Sequence, residues 1–145
     1  MKGFLYYELI HTLLYETYRI MILNKKNKPT ESELEILQVL WTKNSATVRD
    51  VHEEILKTKE AGYTTTLKLM QIMFEKGLVT RNSSSKTHIY QPAVSKENTQ
   101  NLFLNKMIDS LFSGSSAQLV MQALGNHKAS KEELEEIKNF LNNIK

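Results

Sequence analysis

The stretch YTTTLKLMQIMFEKGLV, residues 63–79, decides the fold. Leu69, Met70, Met73 and Phe74 recur three and four positions apart, so the spacing predicts an amphipathic helix with those four side chains buried. Gly77 reads as the C-terminal cap, just after Lys76, whose charge suits the negative end of a helix. The front end is less ordinary. Thr64, Thr65 and Thr66 crowd the first turn, although threonine is a mediocre helix former. Lys68 and Gln71 follow on the outer side. Short hydroxyl side chains beside free backbone N–H groups suit contact with phosphates and base edges. The plainer reading is a polar helix start with spare hydroxyls.

Upstream, TESELEILQVLW (30–41) opens with Thr30 and carries Glu33 three places on, the spacing of a capping box. Leu34, Leu37, Leu40 and Trp41 give that helix an inward face. KNSA (43–46) breaks it. Thr47 and Asp50 repeat the cap signature, and Val48, Val51 and Ile55 form a second apolar face. KEAGY (59–63) ends this helix, with Gly62 as a turn residue. Downstream, LVTRNSSSKTHIYQP (78–92) places two short β-prone runs around a loop of turn formers, a hairpin signal that Pro92 ends.

Three helices and a hairpin, in that order, predict a winged helix-turn-helix. The third helix would then enter the DNA major groove while the hairpin follows the backbone. Charge agrees: residues 62–92 hold Lys68, Lys76, Arg81 and Lys86 against Glu75 alone. The expected DNA-binding residues are Thr64, Thr65, Lys68 and Gln71 on the helix, with Arg81, Lys86 and His88 on the wing. Helix-helix-helix-hairpin units also serve as protein-interaction modules, and ligand-sensing winged helices of the MarR type share the architecture, so pattern alone leaves these alternatives open.

Residues 95–145 change character. SKENTQNLFLNKMIDSLFSG (95–114) carries Leu104, Met107, Ile108 and Leu111 on one helical face, with Leu102, Phe103 and Phe112 beside it. SSAQLVMQALG (115–125) reads as a short apolar helix capped by Gly125. ASKEELEEIKNFLNNIK (129–145) starts with a third capping box, Ser130 and Glu133, and spaces Leu134, Ile137, Leu141 and Ile144 like a coiled-coil seam. Such wide apolar faces need a surface to bury against. A two-fold homodimer is the simplest, and packing back on the same chain is the alternative.

The whole chain is 145 residues with a net charge of +3, which permits a nucleic-acid partner without demanding one. It contains no cysteine, which excludes disulfides, thiolate metal sites and a cysteine nucleophile. His11, His52, His88 and His127 stand in no metal-ligand spacing, and each reads as a surface or packing residue. No phosphate-cradling glycine loop or nucleophile motif occurs, so neither an enzyme nor a cofactor is expected. The apolar N-terminus, MKGFLYYELIHTLLYETYRIMIL (1–23), is interrupted by Glu8, His11, Glu16 and Arg19 and lacks a signal-cleavage site. A cytoplasmic protein follows as the expectation. Three readings of that stretch stay open: an extra helix packed on the body, a true start at Met21, or a helix lying on a membrane surface. The expected organisation is therefore an extension with a basic linker (1–27), a winged-helix DNA-binding domain (28–93) and a helical dimerisation domain (94–145). The fold class is mainly α, with a small β-hairpin wing.

LEILQVLW, YTTTLKLMQIMFEKGLV, KTHIYQP and SKEELEEIKNFL, in this order, resemble the BlaI/MecI/CopY family of bacterial repressors over about residues 28 to 145. The family's Y-T-T helix start matches Tyr63, Thr64 and Thr65, and its K-G-L-V end matches Lys76 to Val79. Thr66, Leu67, Lys68 and Ile72 depart from its usual residues, so its operator sequence does not carry over. The resemblance implies a homodimeric repressor on dyad operators of β-lactamase, resistance or related genes. It further implies release when a membrane metalloprotease sensor triggers cleavage in the dimerisation region. The matching bond precedes Phe103, where Leu102 stands in place of the family's usual Asn and Asn101 lies one earlier. The copper-responsive branch binds metal through C-terminal cysteines and is excluded here.

Overall fold

The structure, a computed structural model, describes residues 3, 5–15, 28–84, 86–126 and 129–144. The chain divides into two compact units, Met1–Lys96 and Glu97–Lys145.

The first unit contains helices α1 (Glu31–Lys43), α2 (Val48–Leu56) and α3 (Tyr63–Glu75), then strands β1 (Val79–Asn82) and β2 (Ile89–Pro92). This is a winged helix. Both predicted capping boxes form. The Thr30 N–H donates to Glu33 Oε2 at 2.8 Å, and the Thr47 N–H donates to Asp50 Oδ2 at 2.9 Å. Each cap satisfies first-turn donors that otherwise lack partners. α1 ends at Asn44, which adopts a left-handed conformation with φ 63°, a geometry asparagine tolerates better than most residues.

The strands pair antiparallel, Val79 with Pro92 through Asn82 with Ile89. A further bridge links Ala46, in the segment after α1, to Tyr90: their backbone N–H groups donate to each other's carbonyls at 3.0 and 2.9 Å. The wing is thereby stitched to the α1–α2 connection. The core is Ile36, Leu37 and Leu40 of α1, Val48, Val51 and Ile55 of α2, Met70 and Met73 of α3, with Ala46, Leu78, Val79 and Tyr90. Each large apolar side chain buried there contributes about 1.5–3 kcal/mol. Trp41 is partly buried at its edge and donates its indole N–H to the Val94 carbonyl at 2.8 Å. Leu34 likewise packs at the margin rather than inside.

Further expectations for this unit change, and Leu69 too is only partly buried against the core. Phe74 is not buried but 40 % exposed, while Thr66 lies in the core margin at 2 % exposure. Gly62 supplies no special turn; it is the residue before α3, in extended backbone with φ −82°. Residues 5–15 are helical, and Leu5, Tyr6, Leu9, Ile10, Leu13 and Leu14 stay exposed there, so this segment adds nothing to the core. Met21 and most of the basic linker lie outside the described residues.

The second unit runs from within α4 (Lys96–Leu111) through α5 (Ser116–Asn126) to α6 (Lys131–Asn143). The Ser130–Glu133 capping box forms. Gly125 is not a cap; it lies inside α5, which continues to Asn126. Among the described residues α5 and α6 bury no side chain. Leu104, Met107, Leu111, Met121, Phe140 and Leu141 are all exposed in the single chain.

Candidate nucleic-acid interface

α3 has two opposed sides. At 100° per residue, Thr66, Met70 and Met73 share one arc and are buried. Thr64, Lys68 and Gln71 fall on the opposite arc with Thr65 at its edge; the first two and Thr65 are exposed and Gln71 is partly so. Among the described residues these four side chains form no hydrogen bond or ion pair. The three threonines thus divide their work. Thr64 and Thr65 point outward, whereas the Thr66 hydroxyl faces Gly62 O at 3.5 Å and His52 Nδ1 at 3.2 Å.

The N-terminus of α3 also differs from those of α1 and α2. It has no side-chain cap, so its first-turn N–H groups remain available to an outside acceptor. Its C-terminus is closed. Leu78 N–H donates to Met73 O at 2.9 Å and Gly77 N–H to Phe74 O at 3.1 Å, a Schellman turn that requires the φ of 75° at Gly77.

On the wing, Lys86 and His88 are exposed in the connection between β1 and β2. Arg81 is only partly exposed. Its guanidinium carbon lies 4.5 Å from the centre of the Phe74 ring, and its Nε is buried without an acceptor among the described residues. The Phe74 ring, outside the core, floors the cation. The four cations counted from sequence are therefore not equivalent. Lys68 and Lys86 are exposed, Arg81 is braced on an aromatic face, and Lys76 turns inward to Glu33 at 2.6 Å.

Two contacts behind the surface escape sequence reading. His52 of α2 meets the hydroxyl of Thr66 and sets its ring edge-on to Tyr63, with centroids 5.4 Å apart. Glu33 and Lys76 meet across 43 positions. No local spacing announces either pair. Elsewhere, a cleft of about 460 Å³ between α1 and α2 is lined by Val39, Ile55, Thr42 and Gln38, and its charged groups are paired, Lys43 with Glu54 at 3.2 Å and Glu35 with Lys59. Lys43 and Lys57 hold the Glu54 carboxyl below the usual carboxylate range, the hydrogen bond from Lys57 first. Among the described residues no group of three acidic, histidine or cysteine side chains could hold a metal ion, and no helix is long and apolar enough to cross a membrane.

The bond before Phe103 lies inside α4, with Leu102 exposed and Phe103 partly so.

Comparison with known proteins gives a consistent set of similarities. The penicillinase repressor of Staphylococcus aureus is 26% identical over 125 residues, covering 83% of this chain and 96% of that protein. The methicillin resistance regulatory protein MecI of Staphylococcus aureus strain N315 is 25% identical over 119 residues, covering 82% and 97%. Among solved structures, the DNA-binding domain of the repressor BlaI matches with a TM-score of 0.45 at 21% identity, over 49% of this chain and 87% of that one. The family model described as penicillinase repressor matches residues 29–143, and the chain belongs to that family.

Proposed function

We infer that this chain is a DNA-binding transcriptional repressor and not an enzyme. One observation carries the reading: α3 presents Thr64, Thr65, Lys68 and Gln71 without internal partners on the side opposite its buried face, in a chain of a repressor family. In this reading the four side chains meet base edges and nearby phosphates in the major groove. Arg81, Lys86 and His88 hold the flanking backbone from the wing. Bracing on Phe74 limits the freedom that Arg81 would lose on contact with phosphate.

The functional species is a homodimer on a dyad operator. The exposed apolar side chains of α4, α5 and α6 support this, because so much apolar surface is unfavourable in water unless covered. The genes controlled are those of β-lactamase, resistance or a related response. Release follows when a membrane metalloprotease sensor leads to cutting between Leu102 and Phe103; that bond sits in helical backbone, so α4 must open locally first. Recovery of the intact chain from induced cells would sink the cleavage step. The α1–α2 cleft gives a ligand-sensing mode little support, because Lys43 there pairs with Glu54 and Glu35 with Lys59.

The test is fluorescence anisotropy of the purified chain with duplexes tiling its own upstream intergenic region, at two salt concentrations. A repressor prefers one site over scrambled DNA and loses affinity steeply with salt. A folded chain that binds no duplex at either salt overturns the reading in favour of a protein-interaction module.

A further inference from the structure

α3 is anchored differently along its length: near its start the buried Thr66 hydroxyl meets the partly exposed His52 at 3.2 Å, and its far end is held by a buried ion pair. Toward the middle its core contacts are Met70 and Met73, flexible side chains that adapt to small shifts of the helix. At its C-terminal cap stands Lys76. Its ammonium donates to Glu33 Oε2 at 2.6 Å and to the Lys28 carbonyl at 3.2 Å. The Glu33 side chain is 3% exposed and that of Lys76 18%. The same Oε2 accepts the Thr30 N–H that caps α1. One carboxylate in the first turn of α1 therefore fixes both its own helix start and the far end of α3.

A buried ion pair adds little net stability compared with an apolar pair, but it is directional and tolerates little displacement. α3 is 13 residues, about 20 Å long, so a small tilt about its C-terminal end moves Thr64 by a much larger distance than it moves Lys76. Reading base edges by hydrogen bonds demands accurate placement. The wing depends on the same anchor, since β1 begins at Val79, three residues after Lys76.

We propose that Glu33 and Lys76 are positioning residues for sequence reading: they set the angle at which α3 presents Thr64, Lys68 and Gln71, and they sharpen discrimination without touching DNA. This role rests on the DNA-reading function inferred above. Lys76 is occupied by Glu33 and by the Lys28 carbonyl, so it adds no phosphate contact of its own.

The experiment starts by letting the wild-type chain select a duplex from a random pool. Affinities for that duplex and a scrambled one are then measured across salt for Glu33→Gln, Lys76→Met and Lys76→Arg, with circular dichroism confirming the fold. Glutamine keeps the capping acceptor and removes the charge; arginine keeps the charge. Glu33→Gln and Lys76→Met should lose about tenfold on the selected duplex, the order of one base contact, and nothing on the scrambled one. Their salt slopes should match wild type, and Lys76→Arg should recover most of the loss. An equal loss on both duplexes, with a slope lower by about one, would make Lys76 a phosphate contact and overturn the proposal. Unchanged selectivity in folded variants would overturn it as well. Should Lys76→Met fail to fold, Glu33→Gln decides alone. A wild-type chain that selects no sequence overturns the DNA-reading function itself, and this role with it.

Discussion

Lys68 is the residue on which the reading surface can be tested most directly. It is exposed on the outward arc of α3, and no side chain among the described residues neutralises it. Lys68→Ala should weaken binding. If its ammonium meets phosphate, the loss will be similar on preferred and scrambled duplexes, and the salt slope will fall by about one. Unchanged affinity would remove Lys68 from the interface. Asp50 acts elsewhere, in the capping box of α2. Hydrogen bonds from the Thr47 hydroxyl and the Thr47 N–H hold its carboxyl below the ordinary range. A carboxylate lowered on folding stabilises the fold above its unfolded pKa of about 3.9, and that contribution is lost as pH falls through the folded value. Asp50→Asn should therefore lower the melting temperature at pH 7 and make progressively less difference below about pH 4. A gap that stays constant with pH would show that the charge of Asp50 does not matter.

At the scale of elements, α3 owes its end to Gly77. The φ of 75° there is one that residues with a Cβ adopt at a cost of about 1–2 kcal/mol. An added Cβ would meet nothing within 4 Å, so Gly77→Ala carries the conformational cost alone, without a clash. Thermal unfolding should show about 1–2 kcal/mol of destabilisation, and no loss would mean that the Schellman turn is dispensable. Features like this were legible in the sequence because they are local. Each capping box needs two residues three apart, Gly77 directly follows Lys76, and the hairpin is announced by turn formers between β-prone runs. Periodicity failed where it meets a shared surface. It assigns Phe74 to the buried arc, yet the ring sits at the edge of α3 and serves Arg81. It also fails for contacts made across the fold. Lys76 reads as surplus charge until α1 places Glu33 beside it, and nothing between His52 and Thr66 foretells that α2 will reach α3 at that point. Gly125 reads as a stop, but glycine inside a helix costs only about 1 kcal/mol, and α5 continues through it.

At the scale of the whole molecule, the two units differ in what holds them together. The described core belongs to residues 36–90, all within Met1–Lys96, so this unit has the apolar burial needed to fold without the rest of the chain. Among the described residues of Glu97–Lys145 only Thr99 is buried, with Met121 at 71 % and Phe140 at 67 % exposure. A second copy that covers these side chains would join two DNA-reading units. The second half-site would then bind as an intramolecular event, raising affinity by about 10²–10⁴ without any new protein–DNA contact. A chain truncated after Lys96 should accordingly remain folded and monomeric. It should match the full chain on a duplex carrying one half-site and fall behind by about 10²–10⁴ on a duplex carrying both. Sedimentation equilibrium of the full chain, beside anisotropy on the two duplexes, measures both halves of this expectation. A full chain that stays monomeric at micromolar concentration and binds both duplexes no better than the truncated form would sink the dimer. The same contrast bears on release, because a cut at Leu102–Phe103 would leave every residue of the proposed reading face in place while separating most of α4 and all of α5 and α6 from the first unit.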